Sequence, residues 1–352
     1  MPIATRSAAK RLPPRKPFFA PRELGDPSGF WPGEHSPVRN LDAQIRGALA
    51  ASLERIQARA AHLLPGGTFD LDAVCTRIRE GRVSPGAAAA YFELVPALQA
   101  GKLELAAACW RRIGSQPVEV PQLRCEPFHA GILGEDADRY QRLLSIGWAG
   151  AQIFAPPDLS EWASFERDVS AALNLLRDAL PAWHAELESL LLRIYGAQPA
   201  HDEGRGFSGA SSRMVWGAIF INVRRHPDRL SIASTVVHEA THQQLFGLSQ
   251  SQPLTENPPH ERYSSPLRSD PRPMDGVYHA TYVSARLALF NALLSEFPAL
   301  SPAEKETAED RVPAMRKRFE DGLAIVEKHG KLSPLGRDLL EAASKQLANF
   351  LD

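Results

Sequence analysis

From residue 41 to 62, in the stretch NLDAQIRGALAASLERIQARAAHL, apolar residues recur every three or four positions until Pro65-Gly66-Gly67 ends the run. The same spacing predicts shorter helices over 70–80, 86–99 and 101–113, an all-helical amino-terminal layer. Between 114 and 136 no helical period holds, and VEVPQLRCEPF reads as a short or edge strand. Helical spacing returns over 137–147, 159–179 and 181–194. Pro181 marks the break between the last two, because proline clashes with the preceding turn inside a helix yet suits the first turn of a new one. Over 213–223 the period changes: SSRMVWGAIFINV alternates in part, is rich in β-branched and aromatic residues, and predicts a strand. RRHPDR then turns the chain. SIASTVVHEATHQQLFGL reads as a helix buried on more than one side and closed near Gly247. Three more helices are predicted: a strongly apolar one over 276–294, one with a charged, solvated face over 303–329, and a last one over 335–349. Residues 1–38 are rich in proline and glycine and predict turns and extended chain, with Phe18, Phe19, Phe30 and Trp31 available to pack over a neighbour. The fold class is therefore α+β and predominantly α-helical.

Composition narrows the partners. The chain has 352 residues, and its 40 lysines and arginines balance 41 aspartates and glutamates, a formal charge of −1 that argues against a generally basic nucleic-acid-binding surface. The three cysteines, Cys75, Cys109 and Cys125, are odd in number and irregularly spaced, which suits neither a disulfide framework nor a thiolate metal cluster. No apolar stretch approaches the length needed to span a bilayer, and the basic amino terminus lacks the apolar run of a signal peptide. The expectation is a cytoplasmic protein with neither a membrane nor a nucleic acid as partner.

The predicted helix after the strand carries His238-Glu239-Ala240-Thr241-His242, an HExxH motif. Four residues of helix advance about 6 Å and slightly more than one turn, so both imidazoles project to one side and can grip one metal. Glu239 faces a different angle, and in a peptidase would take a proton from metal-bound water. Two histidines on one helix can also be a hydrogen-bonded cluster, but the flanking VV and LFGL bury this helix, and a buried polar trio needs partners. A metal needs a further ligand. Position 248 is leucine, which removes the longer HExxHxxGxxH pattern. The candidates lie downstream: His279, Glu256, Glu261 and His260. His279 stands on the first turn of a second apolar helix and can face the first helix across the core, whereas His260 follows two prolines in a polar loop. Asp275, four residues before His279, can orient an imidazole or cap the helix. This divides the chain into a helical amino-terminal region, 1–114, and a metal-binding catalytic region with carboxy-terminal helices, 115–352.

Between the two helices, residues 254–276 hold five prolines, Arg262, Arg268, Arg272 and Tyr263, and show no helical period. So long a loop is often functional, and proline lowers the entropy cost of one fixed shape. Its arginines suit a carboxylate ligand, which guanidinium binds through two hydrogen bonds. HEATHQQLFG followed by ENPPHERYSSPLRSDPRPMDGVYHATYV resembles the HExxH family encoded beside ribosomally made, post-translationally modified peptides in bacteria. The resemblance is concentrated in residues 205–295.

Members of that family are iron(II)- and 2-oxoglutarate-dependent peptide β-hydroxylases. By position the resemblance implies His238, His242 and His279 as iron ligands and Arg268 or Arg272 as anchor of the co-substrate carboxylate. It further implies dioxygen as second co-substrate, a ribosomally synthesised precursor peptide as partner, and a zincin-like core. Glu239 would then hydrogen-bond a ligand or a substrate amide. Sequence physics alone favours a zinc peptidase with Glu239 as general base. A non-catalytic peptide-binding scaffold is the third reading.

Overall fold

The computed structural model describes residues 28–33, 36–64, 69–115, 122–145, 153–200, 207–265 and 268–351, without the side chains of residues 268 and 269. Four helices come first: α1 (Leu41–Ala60), α2 (Leu71–Glu80), α3 (Pro85–Gln99) and α4 (Leu103–Gly114). Their starts follow local chemistry. Asp70 accepts the Ala73 N–H and Ser84 the Ala87 N–H, each satisfying a backbone donor that the first turn leaves open.

The expected strand in 114–136 is β1 (Arg124–Pro127), followed by the short α5 (Ala130–Leu133), α6 (Glu135–Leu144) and β2 (Phe154–Ala155). Next come α7 (Leu159–Ala179) and α8 (Pro181–Leu190), divided at Pro181 as its ring geometry requires, and then β3 (Arg193–Pro199). The strand expected over 213–223 is shorter than its composition suggests. Residues Arg213–Val215 form a 3-10 turn capped by Ser212, and Gly217, at φ +83°, breaks the extended run. What remains is β5 (Ala218–Asn222), and a separate β4 (Gly209–Ser211) precedes it.

β1, β3 and β5 are parallel neighbours in that order, and β4 closes the sheet antiparallel to β5. β5 is thus paired on both sides. The edge beside the HExxH helix belongs to β4, not to the 213–223 strand. Alternation along the strands divides the two faces. Ile194, Ile219 and Ile221 join the main core with Phe165 and Val169 of α7, while Tyr195, Ala218 and Phe220 pack with Phe128, Tyr140 and Phe154 in a second cluster.

After β5 the chain forms α9 (Arg229–Leu248), whose amino terminus is capped by Asp228 accepting the Ser231 N–H at 2.7 Å. The segment expected to lack regular structure contains a hairpin, β6 (Tyr263–Ser265) and β7 (Arg268–Arg272). Pro271 is tolerated there because a two-stranded ribbon has outward positions that need no N–H. The bundle is completed by α10 (Met274–Ser295), α11 (Pro302–His329) and α12 (Pro334–Leu351). The main core runs from Phe30 to Leu351 and draws on both sides of residue 114. Phe30 is buried edge-on to Tyr282, and Trp31 packs on Phe350; Phe18 and Phe19 lie outside the described residues. No described helix is long and apolar enough to cross a membrane.

α11 is tied to α9 at its first turn. Ser301 and Glu304 make a capping box, and Glu304 also receives Arg229 at 2.6 Å. The Arg229 hydrogen bond, chiefly, holds the Glu304 carboxyl down from 4.5 to about 2. A carboxyl whose folded pKa is depressed stabilises the fold above its unfolded pKa, and that contribution fades as the pH falls from about 4.5 toward 2. The pair is partly exposed, so Glu304→Gln should cost about 1 kcal/mol at pH 7 once solvent screening is counted. Urea titrations should show parent and variant converging near pH 2. A gap of equal size at both pH values would place the effect outside this ion pair.

Candidate metal centre

α9 carries the motif with one side in the core and one side open. Its inner side is fixed by polar contacts unusual for a buried helix. Gln243 donates to the carbonyls of Ser212 and Ala218, at 3.2 and 3.1 Å, and Gln244 donates to that of Gly29 at 2.7 Å. These bonds satisfy the amide N–H side of both glutamines, whose Oε1 atoms are buried without a hydrogen-bond partner among the described residues, and they tie α9 to the sheet through Gln243 and to the amino-terminal segment through Gln244. The opposite side then presents His238, His242 and Phe246, spaced four residues apart on one stripe.

α10 brings a third imidazole to that stripe. The Nε2 atoms of His238 and His242 are 3.2 Å apart, and the Nδ1 atoms of His242 and His279 are also 3.2 Å apart. The His242 and His279 rings stack 14° from parallel with centroids 5.4 Å apart, and the Phe246 ring lies 5.1 Å from that of His279. The row runs from open to buried: the His238 side chain is 40% exposed, whereas His279 as a whole is 6% exposed. Solvent therefore reaches it from the His238 end. Burial pushes the His279 imidazole below its ordinary pKa, with the Asp275 carboxylate, 3.9 Å away, pulling upward. A neutral imidazole is the form that binds metal.

Two imidazole nitrogens on one ion, each about 2.1 Å from it, stand about 3.0–3.4 Å apart for octahedral to tetrahedral angles. The His238–His242 pair meets that spacing with the correct atoms. His279 meets it with respect to the other nitrogen of His242. One ion can take only one nitrogen of His242, and among the described residues no three His, Cys, Asp or Glu side chains already converge as a metal-binding group. For all three to share one ion, His242 or His279 would have to turn about its side-chain torsions. In type, number and burial the donors fit a divalent transition ion.

Glu239 is 5% exposed and faces β4. Ser211 Oγ donates to its Oε2 at 2.6 Å, and its Oε1 stands 3.9 Å from His238 Nε2. Ser211 was not legible as a site residue, because it sits in a run of small polar residues 28 positions before Glu239 with no period to mark it. Phe246 was equally silent, reading as one more apolar residue of the helix.

The other candidate ligands lie apart from the row. Glu256 and His260 are exposed, the Glu256 N–H donates to the Lys331 carbonyl, and the Glu261 carboxylate takes the Tyr263 hydroxyl. All three belong to a segment fastened to the α11–α12 connection through Asn257, which donates to the His329 carbonyl at 2.9 Å. Among the arginines, Arg262 donates to the carbonyls of Pro259 and Glu261. Arg272 pairs with Asp270 at 2.8 Å, while its buried Nε has no hydrogen-bond partner among the described residues. Its stem lies beside the first turn of α10, since a Cβ at Gly276 would stand 3.7 Å from the Arg272 Cβ, one turn before His279. The backbone of Arg268 is in β7, and its side chain lies outside the described residues. Arg224 is held by Glu161 at 2.8 Å, beside a cleft of about 490 Å³ that none of the three histidines lines.

No protein-family model matches the chain, and no curated protein matches it either.

Proposed function

We propose that this protein is an iron(II)- and 2-oxoglutarate-dependent dioxygenase that hydroxylates the β-carbon of a residue in a ribosomally made precursor peptide. In this reading it works in the cytoplasm, and the sheet, its β4 edge and α9 form a zincin-like core. The observation that carries the reading is the position of His279, brought by a separate buried helix to 3.2 Å from the second histidine of the motif. Three neutral imidazoles leave a divalent ion its full charge, and so favour an anionic co-substrate more than a set containing a carboxylate does.

Bound iron would supply the dioxygen chemistry that decarboxylation of 2-oxoglutarate drives. The chain's own residues do the rest. His238, His242 and His279 hold the ion. Phe246 packs its ring against His279, the buried end of the row, with centroids 5.1 Å apart. Arg272 offers an unsatisfied guanidinium N–H to a carboxylate one helical turn from His279, with Arg268 as the second candidate anchor. The peptide enters at the open His238 end. It can run in extended form along the outer edge of β4: the Asn222 N–H bonds the Ser208 carbonyl, so in the alternating antiparallel pattern Gly209 and Ser211 direct their backbone groups away from β5. A zinc peptidase would use the same His238–His242 pair with Glu239 as general base, and the Nε2-to-Nε2 spacing of that pair suits it equally.

Anaerobic loading with iron(II), followed by 2-oxoglutarate and air, should give succinate, and loading with zinc should give none. Arg272→Ala should raise the 2-oxoglutarate concentration needed for half-maximal succinate about tenfold or more, with iron content unchanged, because a charge-assisted pair would be lost from one side. No succinate under any loading would remove the dioxygenase reading. An unchanged titration in the variant would move the anchor to Arg268.

A further inference from the structure

Residues two apart in an extended strand face the same way. Gly209 and Ser211 of β4 accordingly both face α9, and both meet Glu239 there. Ser211 donates its hydroxyl to Oε2 at 2.6 Å. A Cβ at position 209 would come within 2.5 Å of Oε1, 2.9 Å of Cγ and 3.0 Å of Cδ of the same side chain. One position is emptied for the carboxylate and the other donates a hydrogen bond to it.

That matters because of what Glu239 stands beside. Its Oε1 is 3.9 Å from His238 Nε2, and carboxylate oxygens are strong ligands for divalent ions. A small change of rotamer would carry the carboxylate among the imidazole nitrogens. There it would fill a coordination position and cancel one unit of the ion's charge.

We propose that Gly209 and Ser211 form a seat that keeps the Glu239 carboxylate in the wall of the site, beside the metal-binding histidines and outside their ligand set. Ser211 is a positioning residue that acts through Glu239, and Gly209 provides the room. The inference rests on the reading of His238, His242 and His279 as metal ligands. It gives β4 two roles, since the face that seats Glu239 belongs to the strand whose outer edge has no strand partner among the described residues.

Cobalt(II) alone, titrated into the full chain and followed by its visible absorption, reports the ligand set without any turnover. The parent protein and Ser211→Thr, which keeps the hydroxyl, should give one spectrum. Ser211→Ala and Gly209→Ala should each change its band positions and intensity and tighten cobalt binding several-fold, as a freed carboxylate joins the ion. In a Glu239→Gln background the Ser211→Ala change should disappear, which a merely structural effect of Ser211 would not do. Circular dichroism on heating establishes that each variant is folded, and Ser211→Ala decides the matter if Gly209→Ala is not. Cobalt binding with a spectrum indifferent to Ser211→Ala overturns the seat alone. Failure of the parent protein to bind cobalt overturns the metal-site reading, and the seat with it.

Discussion

His279→Ala is expected to lose metal nearly as completely as His242→Ala, by on the order of 100-fold or more in affinity, while remaining folded. The reason is geometric. His279 reaches the row from α10, a helix buried along most of its length, while Glu239, a donor close to His238, is held toward β4 by the Ser211 hydroxyl. Its nearest acidic neighbour, Asp275, is 64% exposed at the side chain and 3.9 Å from the ring, on the side away from His242 Nδ1. Loss of the ring leaves a cavity lined by Phe246 and His242, which costs stability but not the fold, because the core of α10 is made by Val277, Tyr278, Tyr282 and their successors. Metal content of the purified variants, with circular dichroism as the control for folding, measures this. Full occupancy in His279→Ala would return the third ligand to Glu256, Glu261 or His260, and would require the 254–263 segment to leave the α11–α12 connection.

The second large effect concerns the product. With iron(II), 2-oxoglutarate and air, the correct peptide should gain about 16 Da, one oxygen atom, and remain whole. Glu239→Gln should lower that activity less than loss of any of the three histidines, because the proposed reaction needs no proton taken from water by Glu239, and glutamine can still accept from Ser211. A zinc peptidase predicts the reverse: cleavage without oxygen or co-substrate, and near-complete loss in Glu239→Gln, since removal of a general base costs roughly two to four orders of magnitude. Intact-mass analysis of one peptide under both conditions separates them. Peptide cleaved by the zinc form in anaerobic buffer would defeat the oxygenase reading.

Much of this architecture is legible in one dimension because its causes are local. Apolar residues at helical spacing produce α1, α7 and α9 near their expected positions, and Pro181 divides α7 from α8 by the steric clash of its own ring. The HExxH spacing puts two imidazoles on one side of any helix that carries it, so the closeness of the two rings follows from the spacing, while their rotamers set the 3.2 Å between the Nε2 atoms. His279 was readable for a similar reason, standing near the start of an apolar helix that had to pack in the core.

Contacts between distant segments set the rest. The edge beside the motif is β4 because Gly217 ends the extended run early and β5 takes partners on both sides, an outcome of pairing that no window of sequence contains. The hairpin of β6 and β7 escaped a periodicity reading, since its short strands carry prolines and charges and are set by their mutual pairing. Gly209 and Ser211 are ordinary small residues until α9 crosses their face. Residue type and local spacing name the side chains whose chemistry suits a metal; the packing of α9, α10 and β4 sets which of them meet, because it fixes the distances between side chains far apart in the chain.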